Sequence, residues 1–154
     1  MVIIVSWGPS GGTATASRRV IGAERPVQRY LRVVRGAPEN VPAARAFTSA
    51  LLPDHPRRDD VILATSELVT NATRHTRSGD AGGTVVVELI TYVGGVRLAV
   101  IDQGSGQEPH FVPLTDEEPA RNGGLGLVTI DAVACRWGWY HLGQGRVVWA
   151  EFTA

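Results

Sequence analysis

Asp59 to Thr76 carries the periodicity of one long amphipathic helix. At about 100° per residue, Val61, Ile62, Ala64, Leu68, Val69 and Ala72 share a broad apolar arc. Glu67, Asn71 and Arg74 fall together outside it, at positions i, i+4 and i+7. A carboxylate and an amide one turn apart therefore point into the same space. Glu67 can take a proton or orient a hydroxyl, and the Asn71 carbonyl is a hard oxygen ligand suited to magnesium. Arg74 adds positive charge beyond them. Taken alone, polar residues opposite an apolar arc also describe a solvated helix face. Two downstream stretches change that balance.

The first is Asp102-Gln103-Gly104-Ser105-Gly106, at the end of a predicted strand Val96–Ile101. Two glycines spaced by one make a backbone corner without side-chain bulk. A flat ligand could lie there, with the Asp102 carboxylate accepting from an exocyclic amine; a plain Asp–Gly turn would read the same way. The second is Gly123-Gly124-Leu125-Gly126-Leu127, opening an apolar helical run from Leu127 to Cys135. Glycines at a helix start present free N–H groups to an anion, or serve as a hinge. Between them, Gln107 to Asn122 is polar and without period, and a loop that long is usually functional or mobile.

The remaining elements follow in order. Tyr30–Val34 is predicted as a first strand and Glu39–Leu52 as a helix that Pro53 and Pro56 end. Asp59 and Asp60 occupy the first turn of the central helix, where acidic groups suit the helix dipole. Thr84–Tyr92 alternates as a strand and pairs with Val96–Ile101 through the Val93-Gly94-Gly95 turn. Arg136–Leu142 and Arg146–Phe152 form a last hairpin around Gly143-Gln144-Gly145. Residues 1–25 are expected to be a flexible extension, with Val2–Val5 available as an extra edge strand.

Composition excludes several functions. The 154 residues suit one domain, and 44% hydrophobic content is enough for a core. Fifteen basic residues balance fifteen acidic ones, so no strong field favours nucleic acid or an anionic membrane. Every one of the fifteen is arginine, which rules out a Walker-type lysine site. Cys135 is the single cysteine and fits a reducing cytoplasm. The histidines lack metal-ligand spacing, and no apolar run approaches the roughly 20 residues a membrane span needs. Met1–Trp7 is too short for a signal core.

The set E-L-V-x-N-A-x-R-H, V-x-D-x-G-x-G and G-x-G-L resembles the N, G1 and G2 boxes of the GHKL (Bergerat-fold) ATP-binding superfamily. Ala64 to Ala72 and Arg136-Trp137-Gly138 further resemble the small HATPase_c_2-type anti-sigma factors with serine-kinase activity. The likeness runs from about Tyr30 to Phe152. It implies an α/β two-layer sandwich over residues 26–154, with a mixed, mostly antiparallel sheet and helices on one face. It implies ATP and Mg2+ as cofactors. Glu67 would be the catalytic base, Asn71 the magnesium ligand, and Asp102 the reader of the adenine amino group. Gly104 and Gly106 would shape the adenine pocket, while Gly124, Leu125 and Gly126 would approach the phosphates, with Arg74 nearby. The loop Gln107–Asn122 would be the lid. The family's lid arginine falls close to Asn122, with Arg121 one position away, and its adenine-binding threonine falls at Val147.

The implied activity is that of a cytoplasmic anti-sigma factor. It would bind a sigma factor and phosphorylate a serine on a STAS-type anti-anti-sigma protein, without direct contact to nucleic acid or membrane; the likeness leaves room for a homodimer. Two rival readings share the boxes: an ATP-dependent binding module that transfers nothing, and a histidine-kinase catalytic fragment. The second is disfavoured because the chain has no room for the helical dimerisation domain.

Overall fold

A computed structural model of the chain describes residues 2–7, 27–105 and 125–154. The described strands are β1 (Val2–Trp7), β2 (Val27–Arg35), β3 (Thr84–Tyr92), β4 (Gly95–Asp102), β5 (Arg136–Leu142) and β6 (Gly145–Thr153). The helices are α1 (Val41–Leu51), α2 (Arg58–His75) and α3 (Leu125–Val133). Short 3-10 turns precede α1 at Pro38–Asn40 and follow α2 at Arg77–Gly79.

The strands make one six-stranded sheet in the order β1-β2-β3-β4-β6-β5. The sheet expected from the sequence is mixed and mostly antiparallel; every pairing among the described strands is antiparallel. The reason is the last hairpin: β6 returns between β4 and β5, so α3 carries the chain to an outer strand without making a parallel neighbour. The strand available at Val2–Val5 is present as β1, paired with β2 from Val2↔Arg32 to Trp7↔Val27. That part of the N-terminal extension therefore adds to the sheet.

Alternation decides which face each strand buries. Val85, Val87 and Leu89 of β3, Val96, Leu98 and Val100 of β4, and Val148, Ala150 and Phe152 of β6 form one core with Ala44 and Phe47 of α1. From α2 that core takes Val61, Ala64, Leu68, Val69 and Ala72, and from α3 Leu127 and Ile130. Trp137 and Trp139 of β5 pack against it. The helices thus lie together on one face of the sheet, a two-layer α/β sandwich.

Two threonines enter this core although their residue type placed them outside the apolar arcs. Thr48 and Thr65 are fully buried where α1 meets α2. Thr65 Oγ1 donates to Val61 O at 2.8 Å, and Thr48 Oγ1 to Arg45 O at 3.0 Å, so each hydroxyl is satisfied by its own helix and leaves a small, methyl-bearing surface for packing. Among the described residues, Phe152 is the largest side chain wholly shielded from solvent. Phe152→Ala is expected to lower unfolding free energy by about 3–5 kcal/mol in a denaturant titration, from lost burial and the cavity left behind. A loss below about 1 kcal/mol would mean the core collapses around the gap.

Candidate nucleotide site

Glu67 and Asn71 lie on the half-buried flank of α2 that meets α3. Their convergence is measured at Gly126, in the first turn of α3. A methyl group placed on Gly126 would lie 2.7 Å from Asn71 Nδ2, 3.1 Å from Asn71 Oδ1 and 3.1 Å from Glu67 Oε2. The two side chains therefore reach up to the start of α3, and a β-carbon there would make them shift. α3 starts two residues before the predicted Leu127, which is what makes Gly126 helical and brings it to this point.

Asp102 ends β4 on the helix-facing side of the sheet, and its carboxylate is almost wholly buried. Oδ1 accepts from the Gly104 N–H at 2.6 Å, and Oδ2 accepts from Arg146 Nε at 3.2 Å. Burial pushes the Asp102 carboxyl above the ordinary carboxylate range, opposed by the Gly104 N–H and by the charge of Arg146. Gly104 has φ of +75°, and a methyl there would come within 2.0 Å of Gln144 O. The corner thus needs glycine for its conformation and for its contact with the β5–β6 turn.

The α2 end and the Asp102 corner are stitched together. Thr76 Oγ1 donates to Ala72 O at 2.6 Å and accepts from Ser78 N at 3.1 Å, which folds the chain into the turn after α2. From that turn Arg77 N donates to Gly104 O at 2.9 Å, and Ser78 Oγ accepts from Gln103 N at 2.9 Å. The Arg77 guanidinium also donates to Gln103 O, at 2.9 and 3.2 Å. Asn71 and Asp102 are held in fixed relation through these bonds.

The structure accordingly groups the predicted residues into two clusters on one framework: Glu67, Asn71 and Gly126, then Asp102 and Gly104. Arg74 joins neither. It is exposed and lines a cavity of about 730 Å³ with His75, Thr76, Arg77, Asp80, Ser105 and Gln144. A neighbouring cavity of about 510 Å³ reaches Asp102 itself, between Arg77, Gln103, Gln144 and Gly145. Leu125 is the first residue of α3. Gly106, Arg121 and Gly124, and the lid expected over Gln107–Asn122, lie outside the described residues.

The place given to Val147 changes. Alternation puts Val147, with its partner Ile101, on the sheet face away from the helices. The side chain beside Asp102 is Arg146, its direct partner in the β4–β6 register. Arg146, Arg77 and Ser78 are the site residues the sequence reading missed. For Arg146 a signal existed: it shares the parity of the core residues Val148, Ala150 and Phe152.

These parts suit a nucleotide with magnesium: a glycine helix start against a carboxylate and an amide oxygen, and a buried carboxylate at a glycine corner. Residues 34–152 match the histidine kinase-like ATPase domain family, HATPase_c_2. The chain belongs to that family. As a histidine kinase-like ATPase domain it is an ATP-binding module of the GHKL type. No curated protein matches the chain. Among the described residues, no helix of this ATPase domain is long and apolar enough to cross a membrane.

Proposed function

We propose that this ATPase domain is an anti-sigma factor with serine/threonine-protein kinase activity, acting in the cytoplasm. It binds a sigma factor and phosphorylates a serine on a STAS-type anti-anti-sigma protein. The observation that carries the kinase part is the meeting of Glu67 and Asn71 at Gly126. The choice of partners rests on the likeness of Ala64–Ala72 and Arg136-Trp137-Gly138 to the small anti-sigma kinases.

The chain's own residues have separable tasks. Asn71 offers its amide oxygen to magnesium, which suits an ion that keeps most of its shell as water and phosphate. Asp102 offers a buried acceptor to the adenine amino group; two of its lone pairs are engaged by Gly104 and Arg146, and a carboxylate has about four. Glu67 takes the proton of the incoming serine hydroxyl as that oxygen forms its bond to phosphorus. Bound ATP with magnesium would supply the phosphoryl group and neutralise its charge, and the bond to the leaving ADP oxygen breaks in the same displacement. Most of the rate comes from positioning, so the rigid stitching of α2 to the Asp102 corner belongs to the mechanism.

The test of the function is incubation with Mg-ATP and the STAS proteins encoded near it, followed by analysis for phosphoserine. Serine phosphorylation of one of them is expected. Sigma-factor binding that responds to ATP without any transfer would leave a regulatory binding module in its place.

Base selection gives a second check. Guanine puts a carbonyl where adenine has its amino group, so two acceptors would face each other at Asp102. The native protein is expected to bind ATP at least about 10-fold more tightly than GTP, about 1.4 kcal/mol. Equal affinities in calorimetry would remove Asp102 from base recognition.

A further inference from the structure

We infer that Arg146 is a specificity-positioning residue: by pairing with Asp102 it keeps the base-reading carboxylate a charged, fixed acceptor. The inference rests on the reading of Asp102 as the group facing the purine 6-position, and it assigns a role to a residue that the boxes do not contain.

Register and burial carry the argument. Asp102 and Arg146 are direct partners in the β4–β6 ladder and share the helix-facing side with Val100 and Val148. Arg146 is 6% exposed and Asp102 4%, with Nε 3.2 Å from Oδ2. Burying two charges is expensive, and an apolar pair of similar volume often serves stability as well or better. A buried pair at the end of the otherwise apolar helix-facing side of this ladder therefore points to a task besides holding β4 to β6. The second donor shows which task. The Gly104 N–H holds Oδ1 while Arg146 holds Oδ2, so both rotation and charge of the carboxylate are set before any ligand arrives. A carboxylate in that state only accepts; a protonated acid there could donate to a 6-oxo base and lose its power to discriminate.

Burial drives Asp102 toward its neutral form; the Gly104 N–H opposes this first, and the charge and hydrogen bond of Arg146 add to that opposition. Among the described residues, the other charged groups near it are few. Arg77, on the turn after α2, lines the same cavity. Arg74, His75 and Asp80 line the adjoining one. β4 brings no charged neighbour into that cavity, since the next residue is Gln103. Removing Arg146 should thus let Asp102 take up a proton at a higher pH than in the native protein. Base selection would then fail at low pH and return at high pH.

The experiment compares ATP with ITP, which differs at the purine 6-position, by calorimetry between about pH 5.5 and 8.5. Native protein is expected to prefer ATP by about 10-fold or more across the range. Arg146→Gln should lose most of that preference at the acid end and regain it at the alkaline end. Arg146→Lys, which keeps the cation, should hold it throughout, and a His75→Gln companion should leave the native profile unchanged. A preference in Arg146→Gln as large and as flat as the native one overturns the role of Arg146 while leaving Asp102 as base reader. No ATP preference in the native protein removes the Asp102 reading, and this inference with it. If Arg146→Gln does not fold, the carboxyl-carbon NMR shift of Asp102 in the ligand-free native protein decides. An ionised carboxylate at neutral pH is expected, and a protonated one there overturns the proposal.

Discussion

Glu67→Gln is expected to bind nucleotide and sigma factor as the native protein does, while phosphoserine formation on the antagonist falls by about 10²-fold or more. Glutamine keeps the size of the side chain and most of its hydrogen bonding but removes charge and basicity. The carboxylate sits one turn before Asn71 on the same flank of α2, and Glu67 Oε2 lies beside Gly126. It therefore adjoins the place where phosphates would approach a helix start, not the Asp102 corner where the base would lie. Removing a negative charge there should leave nucleotide binding equal or slightly tighter. Equal phosphoserine yields from variant and native protein, measured side by side in single-turnover reactions, would show that another group takes the proton. Loss of binding and transfer together would make Glu67 structural.

Gly126→Ala should have its large effect on binding and a small one on folding. Alanine is the better helix former, worth about 1 kcal/mol in a helix interior. Its methyl, however, would meet Asn71 Nδ2 at 2.7 Å and Glu67 Oε2 at 3.1 Å. Both contacts are ends of half-buried side chains, which can swing aside without moving backbone. The fold should survive, with thermal unfolding shifted by no more than about 1 kcal/mol equivalent. The geometry that joins Glu67 and Asn71 would not survive, and Mg-ATP affinity should drop by about 10-fold or more, since small misplacements at such sites are costly. A folded Gly126→Ala protein with native Mg-ATP affinity would place the magnesium end of the site elsewhere.

The extent to which sequence disclosed this site depended on how local each determinant is. Thr84–Tyr92 and Arg136–Leu142 were bounded correctly because β-branched and aromatic residues run up to turn glycines. The joint position of Glu67 and Asn71 followed from helical spacing alone. Arg146 did not, because its meaning depends on β6 lying beside β4, a pairing of segments 44 residues apart at Asp102 and Arg146. Ser78 lies in the polar turn after α2. It is wholly buried because its hydroxyl accepts from Gln103 N, a partner 25 residues away that no local pattern announces. The burial of Thr48 and Thr65 is hidden in the sequence for a related reason: their polarity is cancelled by carbonyls of their own helices, so they behave as small apolar residues. The mostly antiparallel sheet that the family likeness implies is antiparallel at every described ladder.

The central claim is that α2, the α3 start and the Asp102 corner form one site for ATP with magnesium. Calorimetric titration of native protein and Asn71→Ala with ATP, with and without magnesium, tests it most directly. Native protein should bind ATP more tightly with magnesium present. Asn71→Ala should lose at least about 10-fold of affinity for Mg-ATP and far less for metal-free ATP, because one hard oxygen ligand is gone and the base contact is untouched. No ATP binding by the native protein, or an equal loss with and without magnesium in the variant, would contradict the account.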